Sequence, residues 1–100
     1  MKRGTTPTHI FTLPVDTGLF SHIRIIYAQH GNPVLVKEND ACQLDGNTVT
    51  VKLSQEETFR FDSGVSVEIQ LRAMANDGEV MNSGIIKATV HRCLDNEVIG

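Results

Sequence analysis

The sequence contains no tryptophan, only five aromatic residues and no long apolar segment. Carbohydrate sites usually rely on exposed aromatic rings, so this shortage disfavours a sugar-binding surface. No apolar run approaches the roughly 18 residues of a membrane span, and the two basic residues in Met1–Thr8 have no apolar stretch behind them. The sequence therefore predicts neither a membrane span nor a secretion signal.

An excess of positive charge is also missing. Nine Lys and Arg residues face twelve Asp and Glu residues, which gives a net charge of -3. Nucleic-acid-binding domains usually carry a basic patch and a high isoelectric point, so nucleic acid is an unlikely class of partner. The eight glycines are spread singly among turn segments, and no glycine-rich phosphate loop predicts a nucleotide cofactor.

Motifs for catalysis or metal binding are absent. The four histidines follow no His-x-His or His-x-x-x-His spacing, no Cys-x-x-C pair occurs, and no serine lies in a G-x-S-x-G elbow. The close carboxylate pairs fall in turns, where acidic groups stay solvated. We therefore predict no enzyme, no metal and no cofactor, and we interpret the histidines as surface or strand-face residues.

Two cysteines, Cys42 and Cys93, lie at the ends of predicted strands. A disulfide that joins two strands across a core is one interpretation. The other is a pair of reduced, half-buried thiols that act as small apolar groups, and the missing tryptophan and secretion signal favour it.

The apolar residues that are present follow a period of two. In Val65–Ala73 every second residue is apolar and the residues between are polar, which is typical of a strand with one face in a core. Thr48–Leu53 repeats the pattern after an Asp-Gly step that predicts a tight hairpin. Four further strands are predicted: Thr8–Leu13 as an edge strand, His22–Gln29 as a central strand, Val34–Glu38, and Ile85–Arg92 with Val80 and Met81 before a bulge.

These segments predict an all-β fold, an immunoglobulin-like β-sandwich of about seven antiparallel strands. A length of 100 residues with 40% hydrophobic residues predicts a single domain over residues 1–100. We expect the first seven and last six residues to form tails. Ser54–Glu57 is a capping box that predicts one helical turn, followed by further strand in Thr58–Asp62.

Three apolar residues are candidate contacts with a partner. Val98 and Ile99 have no place in a seven-strand core, so we expect the C-terminal segment to dock on a neighbouring subunit. Phe20 lies in a predicted loop that carries two large apolar groups, and it either caps the end of the sandwich or presents a contact surface.

Five segments resemble a family of small uncharacterised proteins encoded in prophages and other mobile elements of Gram-positive gut bacteria: Arg3–Asp16, Ile23–Gln29, Leu44–Val51, Leu53–Phe59 and Cys93–Val98. A weaker likeness, in strand order and length, is to the immunoglobulin-like N-terminal domain of phage baseplate upper proteins. Neither family supplies catalytic or binding residues that could be assigned to this chain.

The resemblance implies a structural accessory protein of a phage or prophage, which works by protein-protein contact in a tail or baseplate. Its expected partners are other protein subunits, including further copies of itself, and its expected location is the host cytoplasm or the virion. Two alternatives stay open at this point: a carbohydrate or cell-surface binding module, and a small regulatory binding protein of a mobile element.

Overall fold

A computed structural model describes all 100 residues and contains two antiparallel sheets. The predicted all-β sandwich is confirmed, with eight strands rather than about seven. The strands are β1 (Thr8–Thr12), β2 (Phe20–Gln29), β3 (Asn32–Glu38), β4 (Cys42–Asp45), β5 (Thr48–Lys52), β6 (Val67–Ala75), β7 (Val80–Asn82) and β8 (Ile86–Ala88). A four-residue helix, α1 (Gln55–Thr58), connects the sheets.

The smaller sheet has the strand order β1-β5-β4, and the larger has β3-β2-β6 with both β7 and β8 paired to β6. Strand β1 is an edge strand, as the flanking Pro7 and Pro14 predict, because proline cannot donate to a ladder. Strand β2 is central, as its apolar residues on both faces predict.

The core lies between the two sheets and contains 15 buried hydrophobic residues. It is built from the inward positions of the strands, because alternate side chains point to opposite faces. The largest fully buried apolar side chains are Tyr27, Phe61, Ile23, Ile25, Leu53, Val49, Val51, Val67 and Val90.

Two hairpins have two-residue loops with positive φ. Between β2 and β3, His30 and Gly31 have φ of 54° and 76°, and between β4 and β5, Gly46 has φ of 56°. This left-handed backbone matches the twist of the flanking strands. The predicted Asp-Gly hairpin is confirmed.

The β7 and β8 strands are one segment interrupted by a bulge. Arg72 pairs with Asn82, but Ile69 pairs with Ile86, so three residues of this segment lie opposite two of β6. Ser83 fixes the bulge: its hydroxyl accepts a hydrogen bond from the Leu71 N–H at 2.9 Å and donates one to the Gly84 carbonyl at 2.8 Å. The predicted bulge is confirmed.

Three local predictions are wrong. Thr58–Asp62 continues as helix end and turn instead of strand, because the Ser54–Glu57 capping box completes a helical turn there. The last strand ends at Ala88 rather than Arg92. Residues 1–3 are not a free tail: the Arg3 N–H donates to the His91 carbonyl at 3.1 Å, and the His91 N–H donates to the Met1 carbonyl at 2.8 Å.

Candidate interaction surfaces

Phe20 is a core residue. It begins β2 directly after the 3₁₀ turn Thr17–Leu19, and only 8% of it is exposed. Its side chain is therefore packed in the core and is not available to a partner. Leu19, the other apolar residue of that segment, is 55% exposed.

The C-terminal segment, residues 94–100, has the opposite character. Leu94 is 91% exposed, Val98 is 44% exposed and Ile99 is 78% exposed. The segment makes no backbone–backbone hydrogen bond. Three side-chain bonds hold it: the Gln55 amide pairs with both the N–H and the carbonyl of Ile99, at 2.9 and 3.0 Å, and Arg3 donates to the Asn96 side chain at 3.3 Å.

A second apolar surface lies along the outer edge of the larger sheet. We call residues 80–88, which comprise β7, the bulge and β8, the β7–β8 edge. Four of its apolar side chains are about half exposed: Val80 49%, Met81 44%, Ile85 57% and Ile86 56%. Beyond it, residues 89–91 are covered by residues 1–3, so the cover ends where the edge begins.

Unlike β1 and β3, the β7–β8 edge has no proline to protect it, although its two strands are short and a bulge separates them. Proteins guard edge strands with proline, charge or very short length. Strand β3 contains Pro33, a bulge and two charged residues, β1 lies between two prolines, and β4 has four residues and ends at Asp45. The β7–β8 edge has no proline, and Lys87 is its one charged residue.

Backbone groups of the β7–β8 edge are free to pair with another strand. The Glu79 carbonyl accepts from Ala75, and the Ser83 N–H donates to Leu71, so both residues point towards β6. Because these directions alternate along a strand, the N–H and carbonyl groups of Val80 and Asn82 point away from β6. These outward groups are available for hydrogen bonds to an added strand.

Two cations at this edge, Arg72 and Lys87, lie on the outer face of the sheet and have no ionic partner. Arg24 and Arg72 lie directly opposite each other in the β2–β6 ladder. Arg24 forms a 2.7 Å ion pair with Glu38. Arg72 instead donates from Nε to the Asn82 side chain at 2.9 Å, which directs its guanidinium over β7, and neither it nor Lys87 forms an ion pair.

A shallow depression of about 120 Å³ adjoins Arg72. It is lined by His22, Arg24, Arg72, Ala73, Met74 and Val80. Sites for cofactors and drug-sized molecules usually measure roughly 300–1,000 Å³. The depression has the size of one side chain and combines cationic with apolar walls.

A polar pair joins the two sheets inside the sandwich. The hydroxyl of Tyr27, a fully buried residue, lies 2.7 Å from Nδ1 of His9. Burial, together with nearby Cys42 and Glu57, raises the pKa of Tyr27, so its hydroxyl stays protonated and shares a hydrogen bond with the imidazole. Burial and the positive N-terminus lower the pKa of His9, which is therefore neutral at pH 7.

An ion pair closes the edge of the sandwich beside this pair. Lys37 Nζ lies 2.5 Å from Glu57 Oε2, and both side chains are less than a fifth exposed. Cys42 lies near Lys37, but burial raises the pKa of its thiol, with Asp40 acting in the same direction against Lys37. A raised pKa disfavours the thiolate, so Cys42 is not an activated nucleophile.

The remaining candidate groups lie apart from one another. His22 lies 3.4 Å from Glu38, His30 lies 3.6 Å from Asp62, and His91 pairs through its backbone with residues 1–3. No group of three or more His, Cys, Asp or Glu side chains could hold a metal ion. Cys42 and Cys93 are free and half-buried. None of the five aromatic side chains is classed as exposed.

A scan against protein-family models and a search of curated proteins found no match to this chain. No helix is long and apolar enough to cross a membrane.

Proposed function

We propose that the protein is a non-catalytic interaction module that assembles with other protein subunits, as accessory proteins of a phage tail or baseplate do. The observation that carries the proposal is the C-terminal segment, which exposes Leu94, Val98 and Ile99. Apolar side chains that a small domain leaves exposed within one short segment are candidates for a contact surface, because burial against a partner removes them from water.

The energetics support docking through this segment. Burial of an exposed leucine or isoleucine side chain at an interface contributes about 1.5–3 kcal/mol before the costs of association. Gln55 fixes the backbone of Ile99 through both bonds of its amide. The side chain of Ile99 is nevertheless 78% exposed and is not packed onto its own domain.

Point substitutions in the segment test the proposal. We expect Leu94→Ser together with Ile99→Ser to reduce the assembled mass measured by light scattering and to leave the thermal melting temperature unchanged. Ile10→Ser is the matched control, because Ile10 is an apolar residue that is 65% exposed on β1, in the smaller sheet and outside the C-terminal segment. Equal assembly of the segment variant and the parent protein contradicts the proposed role of the segment.

The location in a phage particle needs a separate experiment. We expect the protein to co-purify with phage particles induced from a host that encodes it, and to stay with them through density-gradient centrifugation. Recovery only in the particle-free supernatant would overturn the virion role and leave the assembly measurement unaffected.

A further inference from the structure

We propose that the C-terminal segment of a second copy of this chain docks on the β7–β8 edge as an added antiparallel strand, and that two copies exchange these segments to form a closed dimer. This inference rests on the proposed function and names the surface that receives the segment. Exchange of one element between two identical copies is an economical route to a two-fold dimer.

Charge is complementary between the segment and the edge. Residues 94–100 contain Asp95 and Glu97 and no cation, and neither carboxylate forms an ion pair. The edge carries Lys87, which lies opposite Glu68 in the ladder without forming an ion pair, and has Arg72 beside it, which also forms none. Docking would pair both sets of charges at once.

Apolar spacing defines the register. Met81 lies opposite Ala73 and Ile86 lies opposite Ile69, so these two inner-face side chains are four β6 positions apart because of the bulge. Leu94 and Val98 are also four residues apart, and on a strand they share one face. An antiparallel segment therefore places Val98 beside Met81 and Leu94 beside Ile86.

The same register places the remaining residues on the outer face. Glu97 then lies level with Asn82, to which Arg72 is hydrogen-bonded, and Ile99 lies level with Val80. The outward backbone groups of Val80 and Asn82 would pair with the added strand, as in other complexes formed by strand addition. One alignment thus satisfies the apolar, ionic and backbone groups together.

Release of the segment from its own domain costs little. It has only the two bonds from Gln55 and the one from Arg3, all at exposed positions. A hydrogen bond of this kind contributes about 0.5–1.5 kcal/mol. The segment can therefore exchange these bonds for a strand ladder and the burial of its apolar side chains.

Sedimentation velocity of the full chain across a concentration series tests the exchange. We expect a monomer–dimer equilibrium that Arg72→Glu with Lys87→Glu weakens about tenfold or more, and that Asp95→Lys with Glu97→Lys weakens similarly. Mixing these two variants should restore both docking interfaces of the dimer, because one pairs the native segment with the native edge and the other has both sets of charges reversed. Arg60→Glu is the control for an exposed charge elsewhere, and it should leave the equilibrium unchanged.

Loss of association in the Arg72→Glu variant would not reflect unfolding. A glutamate at position 72 faces Arg24 across the ladder and replaces a repulsion with an attraction. The change also removes the hydrogen bond from Arg72 to Asn82, so the thermal melt of this variant should stay close to that of the parent protein. A melt that falls together with the association contradicts this assignment of Arg72.

A disulfide tests the register directly. In a chain with both native cysteines changed to alanine, Val98→Cys with Met81→Cys should yield a disulfide-linked dimer, and Val98→Cys with Ile10→Cys should not. A monomer at every concentration, a cross-link within one chain, or a dimer insensitive to the charge reversals overturns the exchange. In the third case assembly, and with it the proposed function, still stands.

Discussion

The Tyr27 hydroxyl lies 2.7 Å from Nδ1 of His9 and shares a hydrogen bond with it, which connects β2 of the larger sheet with β1 of the smaller one. The tyrosine ring also lies 6.0 Å from the Phe61 ring, centroid to centroid, in the middle of the core. The pair is a polar link between two largely apolar inner faces. Its protonation state therefore affects how the sheets are held together.

Stability should decrease in mild acid because of His9. Burial holds the pKa of His9 below its ordinary value of 6.5, so the unfolded chain binds a proton more readily than the folded one. The free energy of unfolding should therefore fall as the pH decreases through the unfolded value. The free energy of unfolding, measured by urea titration, should differ less between about pH 7.5 and pH 5.5 for His9→Phe than for the parent protein. An equal difference would contradict the role of His9.

The Lys37–Glu57 pair should stabilise the edge of the sandwich near neutral pH. Lys37→Met keeps the apolar stem but leaves Glu57 without its cation, which should cost about 1–3 kcal/mol of unfolding free energy. Burial raises the pKa of Glu57, but bonds from Lys37 and Ser54 outweigh it and lower the pKa overall. The contribution is therefore lost as the pH falls through the lowered pKa of Glu57, and the melting temperatures of the two proteins should converge in acid.

Gly4 should not tolerate a side chain. Its φ is +77°, and a Cβ atom there would lie 2.7 Å from Cζ of Phe59. Gly4→Ala should lower the free energy of unfolding by about 1–3 kcal/mol, from backbone strain and the clash together. Gly78→Ala is the matched control, because Gly78 has φ of +93° and open space around it. Chemical denaturation of both variants should show the larger loss at Gly4.

Ser83 should control the order of the β7–β8 edge. Ser83→Ala leaves the Leu71 N–H without its acceptor, and Leu71 is buried. We expect a loss of about 1–3 kcal/mol and faster amide exchange in residues 80–88. Ser66→Ala is the control, since Ser66 is exposed and its side chain makes no hydrogen bond. Unchanged exchange in Ser83→Ala would show that the bulge does not depend on this hydroxyl.

Much of the fold could be predicted because the period-two patterns of the sequence correspond to the inward and outward faces of the strands. Four of the five inward residues of the predicted strand Val65–Ala73 are buried and Val65 is half-buried, although the strand itself runs Val67–Ala75. Residues 58–62 were harder because Phe59 and Phe61 also alternate, and the capping box of α1 prevails over that pattern. The capping-box hydrogen bonds favour a helical turn there and the alternating pattern favours a strand. The sequence pattern alone does not show which of the two is more stable.

The candidate surfaces were only partly predictable. Exposure of Val98 and Ile99 was expected from their position after the last strand, whereas the burial of Phe20 depends on how the 3₁₀ turn delivers the chain into β2. The open β7–β8 edge could not be predicted at all, because edge status depends on strand order. The signals for it, Arg72 opposite Arg24 and Asn82 beside Arg72, arise only from the register.

Strand β1 pairs with β5 across about forty intervening positions, from Thr8 opposite Lys52 to Thr12 opposite Thr48. The β2–β3 and β4–β5 hairpins close over two residues each and can form early, but contacts between distant segments form slowly. During synthesis β1 therefore leaves the ribosome first and waits, unpaired, until β5 has been made. Pro7 and Pro14 at its ends limit wrong pairing during that interval.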